Sequence, residues 1–185
     1  MAAVEGDRPL ACVRLTTTVS QRHVMALPFV CALGAAEALE GALVGWPHDV
    51  VSASGERVVQ VACHMGVGDE GFELACDLWP TSATPALSEA EAQALAEGVA
   101  ARVRSWEADV EAGRAAAGPL APMLGDYFDA CYLLGSDVRV TYPNGRDLMC
   151  GYFCGLDVWG RATVRDADGR DHEFAPEQVR LVASE

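Results

Sequence analysis

The sequence predicts an α+β fold: a mixed or antiparallel sheet with flanking helices, followed by a small β-barrel. Three observations predict it. Small and apolar residues on several faces from Val24 to Leu39 read as a well-buried helix. Three apolar strands then follow in a row between Val44 and Trp79, the pattern of an antiparallel meander. From Gly135 onward strands are short and turns are frequent, with Asn144-Gly145 and Asp168-Gly169 as hairpin signals. Five short strands in about fifty residues read as a small, partly closed barrel. The boundary divides the chain into residues 1–133 and 134–185.

Each element has its own signal. Leu10 to Thr18 (LACVRLTTT) carries β-branched residues in partial alternation and reads as a strand. Gly41 can end the helix that follows. Val44 to Val51 is a strand interrupted by Pro47, which suits an edge, a bend or a strand start. Ser52 to Glu56 (SASGE) is turn chemistry. Arg57 to Met65 and Phe72 to Trp79 are strands joined by the turn GVGDEG. Ser88 and Glu91 fit a capping box. The helix it starts presents Leu95, Val99, Val103, Trp106 and Val110 at three- and four-residue steps. Ala112 to Pro122 breaks it, and Leu120 to Leu133 makes a shorter helix rich in aromatic residues.

Composition narrows the function classes. The chain has 185 residues, 51% of them hydrophobic, and a formal net charge of -14. A surface that acidic repels phosphate backbones and anionic lipid, which argues against nucleic acid and membrane partners. No run of about 18 apolar residues suggests a membrane span. MAAVEGDRPL lacks the features of a signal peptide, so a cytoplasmic protein is expected. Seven scattered cysteines read mostly as small core residues, and no metal site is expected. All thirteen basic residues are arginine, which excludes any mechanism needing a lysine from this chain.

The order of parts resembles that of the biotin protein ligases, within the biotin/lipoate ligase superfamily. Leu27 to Leu39 (LPFVCALGAAEAL) resembles their first long buried helix. GWPHDVV with SASGERVVQVA resembles their tryptophan-proline-asparagine-aspartate corner and the strand after it. The closing fifty or so residues resemble the SH3-like barrel that ends those ligases; Gly155-Leu156-Asp157 with Gly160 matches a Gly-Ile-Asp-x-x-Gly turn. The resemblance implies a two-step reaction: biotin and ATP form biotinyl-adenylate, and a carrier-domain lysine then attacks it. It also implies biotin and ATP as ligands, a biotin carrier domain as partner, and homodimerisation through the sheet.

Residue by residue, this sequence departs from that pattern. The family's Gly/Arg-rich loop belongs upstream of the first strand, and GDRPLACVRL begins just past its end, so the loop is expected to be absent. Gly45 stands where a lysine precedes the tryptophan, and His48 stands where the asparagine does. Arg57 falls near the catalytic lysine and keeps the charge without the compact ammonium. Val59-Gln60 replaces a small Ala-Gly wall. Trp79 replaces an asparagine, and Asp77 adds negative charge where phosphates would sit.

The expected site is therefore Arg57 as the candidate catalytic residue, with Trp46, His48, Asp49, Gln60 and Trp79 as candidate ligand-binding residues. Each has a plainer reading. Asp49 can be a turn carboxylate, the preferred reading; Trp46 and Trp79 can be buried fillers of lost ligand space; Arg57 can be an exposed strand-start arginine. Ser20, His23 and Asp49 could be named as a hydrolase triad, but no nucleophile elbow surrounds any serine. The resulting expectation is a degenerate, inactive or weak ligase-like protein. The alternatives are a working ligase whose loop comes from upstream sequence or a second chain, and a non-catalytic interaction or dimerisation protein built on exposed sheet edges.

Overall fold

The computed structural model describes residues 8–184. Met1 to Asp7, where the expectations about a leader and a lost loop fall, lie outside the described residues.

The chain runs β1 (Ala11–Thr17), α1 (Gln21–Val24), α2 (Leu27–Glu37), β2 (Leu43–Gly45), β3 (Asp49–Val51), β4 (Arg57–Gly68), β5 (Gly71–Pro80), α3 (Glu89–Glu111) and α4 (Leu124–Ala130). It closes with β6 (Asp137–Thr141), β7 (Asp147–Leu156), β8 (Ala162–Arg165), β9 (Asp171–Phe174) and β10 (Arg180–Ala183). Two five-stranded sheets result, ordered β1-β5-β4-β3-β2 and β10-β6-β7-β8-β9. All strand pairs within both are antiparallel. β2 to β5 form an antiparallel meander of four strands where three were expected, because the single strand read over Val44 to Val51 is a hairpin, β2 and β3, that turns at Trp46 to His48; β1 adds to the β5 edge.

The α+β prediction holds, with local differences. The single helix expected over Val24 to Leu39 is two, α1 and α2, parted at Met25 and Ala26. Pro28 explains the restart: it has no N–H to give, so it fits the first turn of α2, where that donor has no helical partner. The cysteines also divide differently from the expectation. Cys12, Cys150 and Cys154 are exposed, because strand alternation turns them away from the core.

α2 is apolar all round because it is covered all round. One side meets β2, β3 and β4, and another meets α3. The contact with α3 is made at glycines. A Cβ on Gly34 would stand 2.8 Å from Arg102 Cβ, and one on Gly98 would stand 2.8 Å from Ala38 Cβ. α3 begins with the predicted capping box: Ser88 Oγ accepts from Glu91 N at 3.3 Å, and Glu91 Oε2 accepts from Ser88 N at 2.7 Å. Its predicted stripe is buried at Leu95, Val99, Val103 and Trp106. Trp106 satisfies its indole N–H on Pro119 O at 2.8 Å. Among the described residues, no helix is long and apolar enough to cross a membrane.

Candidate functional site

The GWPHD corner lies between β2 and β3, where the first sheet meets the second. Gly45 pairs with Asp49 across the hairpin, and the Trp46-Pro47 peptide bond is cis. Trp46 is buried, and its Nε1 donates to the carbonyl of Gly160 at 2.9 Å. The Tyr127 hydroxyl, on α4, donates to the carbonyl of Pro47 at 2.8 Å. Phe29 on α2 fills the space behind them, with its ring centroid 5.8 Å from that of Tyr127 and 6.2 Å from that of His48.

Gly160 meets this corner because of its own turn. Asp157 Oδ1 accepts from the backbone N–H groups of Trp159 and Arg161, at 2.8 and 3.0 Å. Gly160 itself sits at φ +85, and a Cβ there would lie 2.5 Å from Phe29 Cζ. Only glycine suits that backbone conformation and that proximity together.

His48 is half-buried, and its Nδ1 is buried without a hydrogen-bond partner. Burial holds its imidazole below the ordinary histidine range, against the opposing pull of the Asp49 carboxylate. Asp49 and Arg57 stand 3.5 Å apart as an ion pair, with side chains 29% and 44% exposed. The two candidate positions of greatest chemical interest thus answer each other's charge.

Arg57 and Gln60 open on a cleft of about 450 Å³ walled also by Glu56 and the turn Pro80 to Ala83. Thr81 and Thr84 pin that turn, their hydroxyls donating to the carbonyls of Arg57 and Val58. Gln60 and Trp79 are cross-strand partners, so the structure brings both to one end of the β4–β5 ladder. Farther along that face, Arg14 and Asp77 are paired at 2.8 Å. Burial pushes the Asp77 carboxyl up, but hydrogen bonds from Arg14 and Cys12 outweigh it and leave it below its ordinary value. An anionic ligand entering the cleft must compete with Asp49 for Arg57. An ion pair so exposed is worth about 0–1 kcal/mol, so such competition is inexpensive.

The triad named from the sequence is not assembled. Ser20 Oγ lies 3.0 Å from His23 Nδ1, but the imidazole's other contact is the backbone of Ala115. Asp49 is turned to Arg57 instead. On the helix-facing side of the first sheet, a different group does converge: the Sγ atoms of Cys31, Cys63 and Cys76 lie within 4.8 Å of one another. Hydrogen bonds from Cys31 and Cys76 favour the thiolate at Cys63, and donation to Cys63 pushes Cys31 well up.

Of the sequence-derived candidates, Trp46, His48 and Asp49 share the corner, while Arg57, Gln60 and Trp79 flank the cleft end of β4 and β5. The Asp49–Arg57 pair joins the two groups. Sequence reasoning missed Tyr127, Phe29 and the cysteine cluster. Tyr127 and Phe29 reach the corner, and Cys31 reaches the other two cysteines, from elements far apart in the chain, whereas Cys63 and Cys76 face each other across the β4–β5 hairpin.

This architecture matches solved structures over most of its length. A biotin protein ligase from Aquifex aeolicus superposes with a TM-score of 0.65 at 16% identity, covering 89% of this chain and 77% of that one. The fold is that of a biotin protein ligase. The apo structure of the Aquifex aeolicus ligase gives a TM-score of 0.63 at 15% identity, covering 89% of this chain and 77% of that one. A mutant of that ligase in complex with biotin gives 0.65 at 15% identity, covering 94% of this chain and 77% of that one. No family profile matches the chain, and no curated protein matches it. The ligase likeness therefore rests on shape, and the order of motifs along the sequence agrees with that shape.

Proposed function

We propose that this chain is a biotin-protein-ligase-like protein that keeps the ligase architecture and has lost adenylate-forming catalysis. In this reading residues 1–133 are a ligase-like core, and residues 134–185 are an SH3-like barrel. The supporting observation is that three of the corner's polar groups are bonded to the protein itself, although His48 Nδ1 is not. Trp46 is committed to Gly160, the Pro47 carbonyl to Tyr127, and Asp49 to Arg57. The absence of any lysine points the same way, because the resemblance puts the ligases' catalytic lysine near Arg57. What survives is a polar cleft beside Arg57 and Gln60, suited to weak binding of a carboxylate or phosphate. The protein is expected to act in the cytosol as a binding or interaction module.

One observation favours a second reading, a working ligase. Arg57 retains a cation at the mouth of a cleft large enough for a small ligand. Incubating the protein with biotin, ATP, Mg²⁺ and a biotin carrier domain separates the two. The proposal expects no biotinylated carrier above a protein-free control; time-dependent labelling of the carrier lysine would overturn it.

A further inference from the structure

Three cysteines from three elements meet on the helix-facing side of the first sheet. Cys31 comes from α2, Cys63 from β4 and Cys76 from β5. Cys63 and Cys76 are direct cross-strand partners, and α2 lays Cys31 over them. All three Sγ atoms lie within 4.8 Å of one another, with Cys31 and Cys76 buried and Cys63 half-buried. A core position that needs only a small apolar side chain can take alanine or valine equally well. Three thiols aimed at one point supply something those residues cannot, a set of convergent soft donors.

We propose that Cys31, Cys63 and Cys76 form a binding site for one soft d10 metal ion in three-coordinate sulfur geometry, with Cu(I) preferred. Two features select the ion. The donors are all thiol sulfur, which favours soft metals over those that prefer oxygen ligands. Among the described residues no fourth histidine, cysteine or carboxylate joins the group, whereas structural zinc sites are four-coordinate. The dimensions also fit. Metal–sulfur bonds of about 2.3 Å place three sulfurs in a plane about 4.0 Å apart, so the cluster needs to contract by less than about 1 Å. Half-buried Cys63 gives the entry side. Binding replaces thiol protons by the metal and releases them to solvent, with no change in the oxidation state of sulfur or copper.

The test is an anaerobic titration with Cu(I) delivered from a colorimetric Cu(I) chelator. The full chain is compared with a background in which Cys12, Cys150 and Cys154 are serine and Cys131 is alanine. The proposal expects one equivalent bound in both, three sulfur neighbours by X-ray absorption, and three thiols protected from alkylation. Cys63→Ala and Cys63→Ser, shown folded by circular dichroism, should each weaken Cu(I) binding more than about tenfold. Zn²⁺ should bind more weakly than Cu(I). Unchanged Cu(I) affinity in both Cys63 variants, fewer than three sulfurs, no protection of thiols in the unaltered chain, or tighter Zn²⁺ binding would each overturn the proposal.

Discussion

The indole N–H of Trp46 donates to the carbonyl of Gly160 at 2.9 Å, across 114 positions of sequence. The bond is buried and ties the first sheet's corner to the turn between β7 and β8. A motif that reads from the sequence as an active-site corner is, in this fold, a joint between two sheets. The same joint includes Tyr127 on Pro47 and Phe29 under Gly160.

Removing either bond should weaken the whole protein. Tyr127→Phe deletes only a hydroxyl and leaves the buried Pro47 carbonyl without its donor, a loss of about 1–3 kcal/mol. Trp46→Phe deletes the donor to Gly160 and some ring volume, and should cost at least as much. Urea unfolding of each variant checks this. Values within experimental error of the parent would mean that the corner is not a stabilising joint.

Gly160→Ala meets two penalties. A residue with a Cβ is strained at φ +85, and the added atom would lie 2.5 Å from Phe29 Cζ. Strain and overpacking each cost about 1–3 kcal/mol. A thermal melt of the variant should show a clear drop, and Phe29→Ala in the same chain should recover part of the overpacking component.

The α2–α3 contact gives an independent prediction. A side chain at Gly34 would collide with Arg102 Cβ at 2.8 Å and Val99 Cα at 3.0 Å. Gly34→Val should destabilise by about 1–3 kcal/mol or more, since one neighbour is backbone and cannot rotate away. Arg102 is also held by Glu37 and Asp126, so it cannot swing clear without breaking those pairs. Denaturant midpoints read this directly.

His48 predicts a pH dependence. Its folded pKa lies below its ordinary value of 6.5, because burial disfavours the imidazolium. As pH falls below about 6.5, the unfolded chain takes up this proton before the folded one does. The stability tied to neutral His48 is therefore full above that pH and is lost as pH falls through the folded pKa, with a limiting slope of about 1.4 kcal/mol per pH unit. Phe29, Asp49 and Arg180 are the groups acting on it. His48→Asn should flatten the decline between neutral and mildly acidic pH, measured as the difference in unfolding free energy from the parent. Parallel curves would exclude His48 as the source.

Much of the frame could be read in advance because it rests on local chemistry. The Ser88–Glu91 box, the stripe from Leu95 to Trp106, and the hairpins at Asn144-Gly145 and Asp168-Gly169 depend on residues a few positions apart. The sheet joint and the cysteine cluster could not be read that way. Trp46 finds Gly160, and Cys31 finds Cys63 and Cys76, only after strand register and helix placement are set. The corner shows the same limit from the other side. Trp46, Pro47 and Asp49 are visible in sequence, but whether they face a ligand or the protein is decided by Tyr127, Gly160 and Arg57.

The central claim is that the ligase-like fold persists here without an adenylate site. Isothermal titration of the protein with biotinyl-adenylate, alongside biotin and ATP, tests it most directly. The account predicts no binding tighter than about a micromolar; a biotinyl-adenylate Kd below about a micromolar would contradict it.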